Sequence, residues 1–355
     1  MRAASLVVRG FRNLADATLE LPAGGMALIG PNGHGKTNLL EALAYPVLFR
    51  SLRGARDRDV ARFGGPGFHV AVTRDDGVAV ATTWHAADGR KRVTVGGEER
   101  PRITDALGAW LAVSFLPTDL ALVQGGAGER RRWLDRMLSL GSATYLGALL
   151  RYRAAVAQRN AALRRQDASS AAAFDGPLAQ AGAVVVAGRL AWLAAAEATW
   201  REELASLGEP LEVTMRYRGD AELADPAAWD ERIAAHRVRD QQRGQTTLGP
   251  HRDDLVLGLG QKALREFGST GQQRTAAIGL RLLEHDTLAR DRDTRPALLV
   301  DDVFAELDGS RQARLADRLQ AAAVQLVVTA PRPEDLPDAL EAPRWHVHDG
   351  TITRD

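Results

Sequence analysis

The run Gly30-Pro31-Asn32-Gly33-His34-Gly35-Lys36-Thr37 decides how the rest of the chain is read. It fits the Walker A pattern G-x4-G-K-[ST], and its flanks read as strand before and helix after. Met26 to Ile29 is a short apolar strand that runs straight into the glycines. Thr37 to Leu43 follows as a helix with Leu39, Leu40 and Leu43 on one side, and Pro46 is expected to end or kink it. The glycines let backbone N–H groups curl inward around phosphate oxygens, and the helix adds its positive N-terminal end. Lys36 is placed to reach β- and γ-phosphates, and Thr37 to offer its hydroxyl to Mg²⁺. The chain has only three lysines, Lys36, Lys91 and Lys262. A compact ammonium kept here, in a chain that otherwise uses arginine, favours a specific role.

Far downstream, Leu298-Leu299-Val300-Asp301-Asp302 reads as the matching Walker B element. A buried strand delivers acidic residues to its C-terminal edge, where the metal of a nucleotide site sits. Asp301 is the candidate metal ligand and Asp302 the candidate for polarising an attacking water. Ser269-Thr270-Gly271-Gln272-Gln273-Arg274 opens an amphipathic helix. Two readings stay open for it: a capped helix start, since Ser and Thr are favoured N-caps, and the Ser-x-Gly-Gln signature loop of ABC-type ATPases.

Composition bounds the rest. The chain has 355 residues, 45% apolar and 26% charged, ordinary for a globular protein of one or two lobes. The formal net charge is +1, so any contact to nucleic acid has to come from local arginines. There is no cysteine, which excludes disulfides, thiolate catalysis and Cys-ligated zinc. No signal-peptide pattern and no apolar run of about 20 residues are read from the sequence, so a cytoplasmic protein is expected.

Strands are expected at Ser5–Arg9, Thr18–Leu21, Ala297–Val300 and Val324–Thr329, with a helix at Gly309–Ala322 between the last two. Asp75-Asp76-Gly77 and Asp88-Gly89 mark hairpins of a small antiparallel sheet. Trp133–Arg165 and Leu178–Leu207 read as long helices on either side of a breaker region at 167–177. Leu211–Tyr217 and Asp254–Leu259 read as strands, Asp220–Arg239 as mixed and helical, and Gln272–Asp286 as helix.

Several runs spread over nearly the whole chain carry a family resemblance. They are Phe11-Arg12-Asn13, Gly30 to Ala42, Phe115 to Leu120, Arg131 to Asp135, Gln158-Arg159-Asn160, Gly249-Pro250-His251-Arg252-Asp253-Asp254-Leu255, Ser269 to Arg274 and Asp301 to Asp308. On these the chain resembles the RecF family of DNA replication and repair proteins, within the ABC/SMC-like ATPases. The resemblance implies an α/β fold: an ABC-type P-loop ATPase head, with a mixed sheet plus a small antiparallel sheet, and an α-helical second lobe. The expected division is 1–115 plus 245–355 for the head and 116–244 for the helical insertion.

It further implies ATP and Mg²⁺ as cofactors, with Arg12, Asn13 and Asn38 joining residues 30–37 at the nucleotide. Lys36 and Asp302 would be catalytic, and Thr37 and Asp301 would hold the metal. Ser269, Thr270, Gly271 and Gln272 would close on the nucleotide of a second subunit, and Glu306-Leu307-Asp308 would be the D-loop at that interface. The implied function is a weak DNA-dependent ATPase switch in recombinational repair: an ATP-driven homodimer that clamps duplex DNA near single-strand gaps and helps load RecA with RecO and RecR.

The Q-loop position falls at Thr118, where the family usually carries an acid, and the switch position at Thr329. For His251 and Arg252 a structured turn and a ligand contact both stay open. The clusters Arg130-Arg131-Arg132, Arg159 with Arg164-Arg165, and Arg237-Arg239-Arg243 are either solvated faces or phosphate contacts.

Three rivals are weighed. A membrane-transporter ATPase shares the motifs, but its Walker elements lie closer together than Lys36 and Asp301. An SMC-type tether needs longer heptad arms. A GTPase needs a guanine-reading Asn-Lys-x-Asp run, which is absent from the chain.

Overall fold

The computed structural model describes residues 1–209, 212–322 and 324–354. The chain opens with β1 (Ala3–Arg9), β2 (Ala17–Glu20), β3 (Gly25–Ile29), α1 (Lys36–Leu48) and α2 (Asp57–Val60). Next come β4 (Gly67–Arg74), β5 (Ala79–His85), β6 (Lys91–Val95), β7 (Glu98–Glu99) and β8 (Ala112–Phe115). The middle holds α3 (Ala121–Gln124), α4 (Ala127–Gly141), α5 (Ala143–Arg164), α6 (Ala168–Ala172), α7 (Asp175–Ser206), β9 (Val213–Arg218) and α8 (Trp229–Arg243). Then follow β10 (Asp254–Leu259), β11 (Lys262–Ala263), α9 (Leu264–Phe267) and α10 (Thr270–Arg292). The chain closes with β12 (Ala297–Asp301), α11 (Gly309–Ala322), β13 (Leu326–Ala330), β14 (Arg344–His348) and β15 (Thr351–Arg354).

Two compact units result: 1–119 with 206–208 and 284–355, and 120–205 with 209–283. The expected division at 115 and 245 differs from this. The stretch 245–283 joins the second unit because β10 pairs antiparallel with β9 from Asp254↔Arg218 to Leu259↔Val213.

The first unit contains two six-stranded sheets. One is antiparallel, in the order β2-β1-β4-β5-β6-β7. Its strands β4 and β5 are mostly buried, while β2 alternates between half-buried and exposed positions. The other is mixed, in the order β15-β14-β3-β13-β12-β8. The central strands β3, β12 and β13 are buried at every position, as expected of parallel strands covered on both faces. Helix α1 packs on strands of both sheets. Phe11, Tyr45, Phe68 and Trp84 form a chain of aromatic contacts beside it.

Pro46 does not end α1, which runs through to Leu48. The proline lies in the last turn, where its missing N–H removes one bond and no long segment follows. Phe49 then stops the helix in a left-handed cap, donating its N–H to Tyr45 O.

The second unit is built on α4, α5, α7 and α8 with the small sheet β11-β10-β9. The expected helix over 133–165 is two helices, because Ser142 leaves the helical conformation and accepts a bond from Tyr145 N as N-cap of α5. The expected strand from Leu211 begins outside the described residues, and its remainder is β9. One segment, Ala168–Ser206, is long and apolar enough to cross a membrane, which corrects the reading of no such run. Half of its apolar window is buried in the protein, and it carries the buried Arg189, ion-paired to Asp135 at 2.8 Å, as a core helix does.

Two arginines of the clusters read as either solvated faces or phosphate contacts are internal. Arg130 is buried in a two-pronged pair with Asp254 at 2.9 and 3.0 Å. Arg159 is buried between Asp175 at 2.8 Å and Asp240 at 2.6 Å. Charges taken this far from water persist only when fully paired. Arg164, Arg165, Arg239 and Arg243 remain exposed.

Candidate nucleotide site

The site lies in the first unit at the C-terminal edge of the parallel strands, where ligands of open α/β sheets bind. Strand β3 ends at Ile29 and the loop 30–35 leads directly into α1. Gly35 is the N-cap of α1 in the left-handed region at φ 116°, and an added Cβ would meet Asn13 Oδ1 at 3.1 Å and Leu14 Cδ2 at 3.2 Å. Both conformation and space therefore demand glycine. Lys36 is buried, and its ammonium donates to Gly30 O at 2.7 Å, Pro31 O at 3.2 Å and Asn32 Oδ1 at 3.3 Å. Its three donors are thus all engaged on the loop.

The neighbouring strand ends supply the acids. Strand β13 runs between β3 and β12, and Thr329 is in register with Leu28 on one side and Asp301 on the other. Asp301 Oδ1 accepts from the Thr37 hydroxyl at 3.0 Å and lies 2.9 Å from the Thr329 hydroxyl. The Thr329 hydroxyl also stands 3.1 Å from Asp302 Oδ1 and accepts the Asp302 N–H at 3.0 Å. It has one proton for two carboxylates, so it donates to one at a time. Asp302 itself lies in the left-handed region at φ 49°, a state that Asp adopts more readily than most residues.

Burial pushes the Asp301 carboxyl above the ordinary range, although the hydroxyls of Thr329 and Thr37 pull it partly back. Its negative charge is therefore under-compensated by the protein alone. A hydroxyl and an oxygen-only acid at this spacing are ligands that a hard divalent cation takes. Thr37 and Asp301 fit Mg²⁺, which would supply charge neutralisation at phosphate oxygens.

Around the loop the expected residues serve as braces. Asn13 donates to Gly33 O at 3.4 Å and accepts from Asn38 Nδ2 at 2.7 Å. Arg12 turns away from the loop onto the buried Glu41, at 3.0 and 3.1 Å. Glu41 also takes bonds from Arg53 and Ser51. Burial pushes its carboxyl up, but the bonds from Arg12, Arg53 and Ser51 outweigh this and hold it below the ordinary range. Glu41 and Arg53 were not singled out as site residues. The available signal was an acid among the leucines of α1.

The β14–β15 turn closes on the loop from the other side. Asp349 N donates to His34 Nδ1 at 3.1 Å and Gly350 N to His34 O at 2.8 Å. Both turn residues have positive φ, 47° and 77°, the signature of a two-residue hairpin. A Cβ on Gly350 would lie 1.9 Å from Asn13 O. His34, His348 and Asp349 bring three possible metal-ligand atoms within 4.8 Å of one another, largely exposed.

The remaining expected residues are placed as follows. Ser269 and Gln272 form a reciprocal cap at the start of α10: Gln272 N donates to Ser269 Oγ at 3.2 Å and Ser269 N to Gln272 Oε1 at 2.9 Å. Ser269 and Thr270 are exposed, so the cap still presents a hydroxyl proton to solvent. Both belong to the second unit, with Gly271. Asp308 caps α11 by accepting Arg311 N at 3.0 Å, while Glu306 and Asp308 are exposed and Leu307 half-buried. Thr118 is exposed in the turn after β8. His251 bonds Tyr152 Oη at 2.6 Å through Nδ1 and Thr246 O at 3.0 Å through Nε2, and burial depresses its pKa. Arg252 N donates to Gly249 O at 2.9 Å, so this run is a structured turn with Arg252 exposed.

Residues 5–104 match the model of an AAA domain. The chain is 36% identical over 380 residues to the DNA replication and repair protein RecF of Streptomyces avermitilis, covering all of both chains. It is 35% identical over 338 residues to RecF of a Synechococcus strain, covering 90% of this chain and 88% of that one. A solved structure of the recombination mediator protein RecF-ATP in the RecFOR pathway superposes with a TM-score of 0.90 at 27% identity, covering 100% and 97% of the two chains. An Smc head domain from Pyrococcus furiosus aligns with a TM-score of 0.57 at 16% identity, covering 99% and 95%, a likeness of fold alone. These findings give no support to a transporter ATPase. The two sheets, the P-loop and the helical unit are those of an ABC-type ATPase head, and the chain belongs to the RecF family of DNA replication and repair proteins.

Proposed function

We propose that this chain binds ATP with Mg²⁺ at the 30–38 loop and uses it to gate duplex DNA binding in recombinational repair. The observation that carries the nucleotide reading is the meeting of Thr37, Asp301 and Thr329 within 3.0 Å contacts beside Lys36. Lys36 would leave the loop carbonyls for the β- and γ-phosphates, exchanging neutral acceptors for charged ones, which form the stronger bonds. Thr37 and Asp301 hold the metal. Asp302, tied to the Thr329 hydroxyl, orients the attacking water in a slow hydrolysis.

The exposed Ser269 hydroxyl and the helix start behind it complete the site of a second copy in trans, since a helix N-terminus favours phosphate. ATP then joins two chains because it binds the dimer better than the monomer. The exposed Glu306 and Asp308 lie at that interface. The closed dimer clamps duplex near a single-strand gap through its exposed arginines, and acts with RecR and RecO in loading RecA. A cytoplasmic location goes with this reading.

The test is anisotropy of a labelled duplex across a salt series, with and without ATP and Mg²⁺. The expected outcome is tighter binding with ATP and a log affinity that falls linearly with log salt, by about 0.9 per phosphate contact. Absent DNA binding at low salt, in protein that binds ATP, would overturn the clamp.

A further inference from the structure

Two runs without an assigned role, Arg131 to Asp135 and Gly249 to Leu255, meet in the second unit. With α5 and α7 they line a half-open cavity of about 160 Å³. Its wall carries four guanidinium groups, from Arg131, Arg132, Arg153 and Arg189, against the single carboxylate of Asp135. Asp135 is spent on two of them, with Oδ1 on Arg189 at 2.8 Å and Oδ2 on Arg153 at 3.0 Å. The Arg132 guanidinium donates to Glu129 Oε1. The hydrogen bond of Arg131 goes to a neutral group, the Asp253 carbonyl. Burial lowers the Arg131 pKa and the neighbouring Arg189 lowers it further, against the pull of Asp254, Asp135 and Asp253. Helix α4 starts at the same wall. It follows Gly126 without a side-chain cap, carries Glu129 in its first turn, and Gly128 lines the cavity.

We propose that this cavity is an oxyanion site that takes one phosphate group. Forked guanidinium donors suit the geometry of phosphate oxygens. A phosphate oxygen would give Arg131 a charged acceptor in place of the neutral Asp253 carbonyl. His251, whose ring nitrogens are both engaged, closes the floor rather than binding the anion. The site is separate from the 30–38 loop, and its argument does not depend on ATP binding there.

The experiment is calorimetric titration of the full chain with inorganic phosphate at constant ionic strength, with chloride as the control anion. The wild type is expected to bind one equivalent saturably. The double variant Arg132→Gln with Arg153→Gln removes two side chains that are 62% and 57% exposed, so folding is expected to be unchanged. It should bind phosphate about tenfold more weakly, the scale of one or two charge-assisted bonds, with unchanged ATP affinity. Arg131→Gln, checked for an intact melting transition, should show a loss at least as large. No saturable binding by the wild type, or wild-type affinity in both variants, overturns the proposal. Competition separates the sources of the phosphate. Displacement of a bound duplex by phosphate identifies a nucleic-acid backbone group. Binding without displacement identifies a free or small-molecule phosphate.

Discussion

Asp301 and Glu41 are both buried acids of the first unit, and their surroundings treat them oppositely. Asp301 lies among hydroxyls with its charge under-compensated, so Asp301→Asn should stabilise the nucleotide-free protein by about 1 kcal/mol at neutral pH. The same change should remove the Mg²⁺ dependence of ATP binding. Thermal melting and labelled-nucleotide titration check the pair, and a lower melting temperature would contradict the account. Glu41, 1% exposed, is gripped by Arg12, Arg53 and Ser51. Glu41→Gln leaves those guanidiniums facing a neutral amide and should cost about 3 kcal/mol. Because the folded pKa is lowered, the contribution is complete above the ordinary Glu value of about 4.3 and is lost as pH falls through the lower folded value. Denaturant melts at pH 7 and pH 3 should show the gap between wild type and variant wide at the first and narrowed at the second. At this scale Lys36, Thr37 and Asp301 were legible because each belongs to a contiguous run whose chemistry is local. The bonds of Thr329 to Asp301 and of Arg12 to Glu41 span 28 and 29 residues and exist only once the sheet and helix are assembled.

Among the elements, β3, β12 and β13 were legible because a short run buried on both faces is apolar at almost every position. Strand β14 was not read: Arg344, His346 and His348 alternate with Trp345 and Val347, so only two residues of five are buried and apolar. Pro46 misled the reading of α1 because a rule for helix interiors was applied to a last turn. The start of α10 admits both readings weighed for it, since Ser269 and Gln272 form a reciprocal cap and Ser269 still has its hydroxyl proton to offer. Two substitutions separate the roles. Ser269→Ala should cost about 1 kcal/mol through the lost cap. Ser269→Arg should cost a similar amount, keep ATP binding, and abolish ATP-driven dimerisation in light scattering. Normal dimerisation by the arginine variant would refute a site completed in trans.

For the whole molecule, a head built from both ends of the chain could be inferred because Walker A and Walker B lie 264 residues apart, from Thr37 to Asp301, and must still meet. The limits of the second unit could not, because they depend on β10 choosing β9 as its partner. The mixed sheet also carries a consequence for how the protein comes into being. Strand β3, which leads into the phosphate loop, is flanked by β13 and β14, and the turn at Asp349-Gly350 clasps His34. All three of those supports are encoded more than 290 residues after the loop. A growing chain on the ribosome therefore carries the loop without these three supports through most of translation. The second unit, encoded as 120–205 and 209–283, has everything it needs to fold earlier. The full set of contacts around the loop is thus a late event in the life of each copy, complete only once the β14–β15 hairpin has been made.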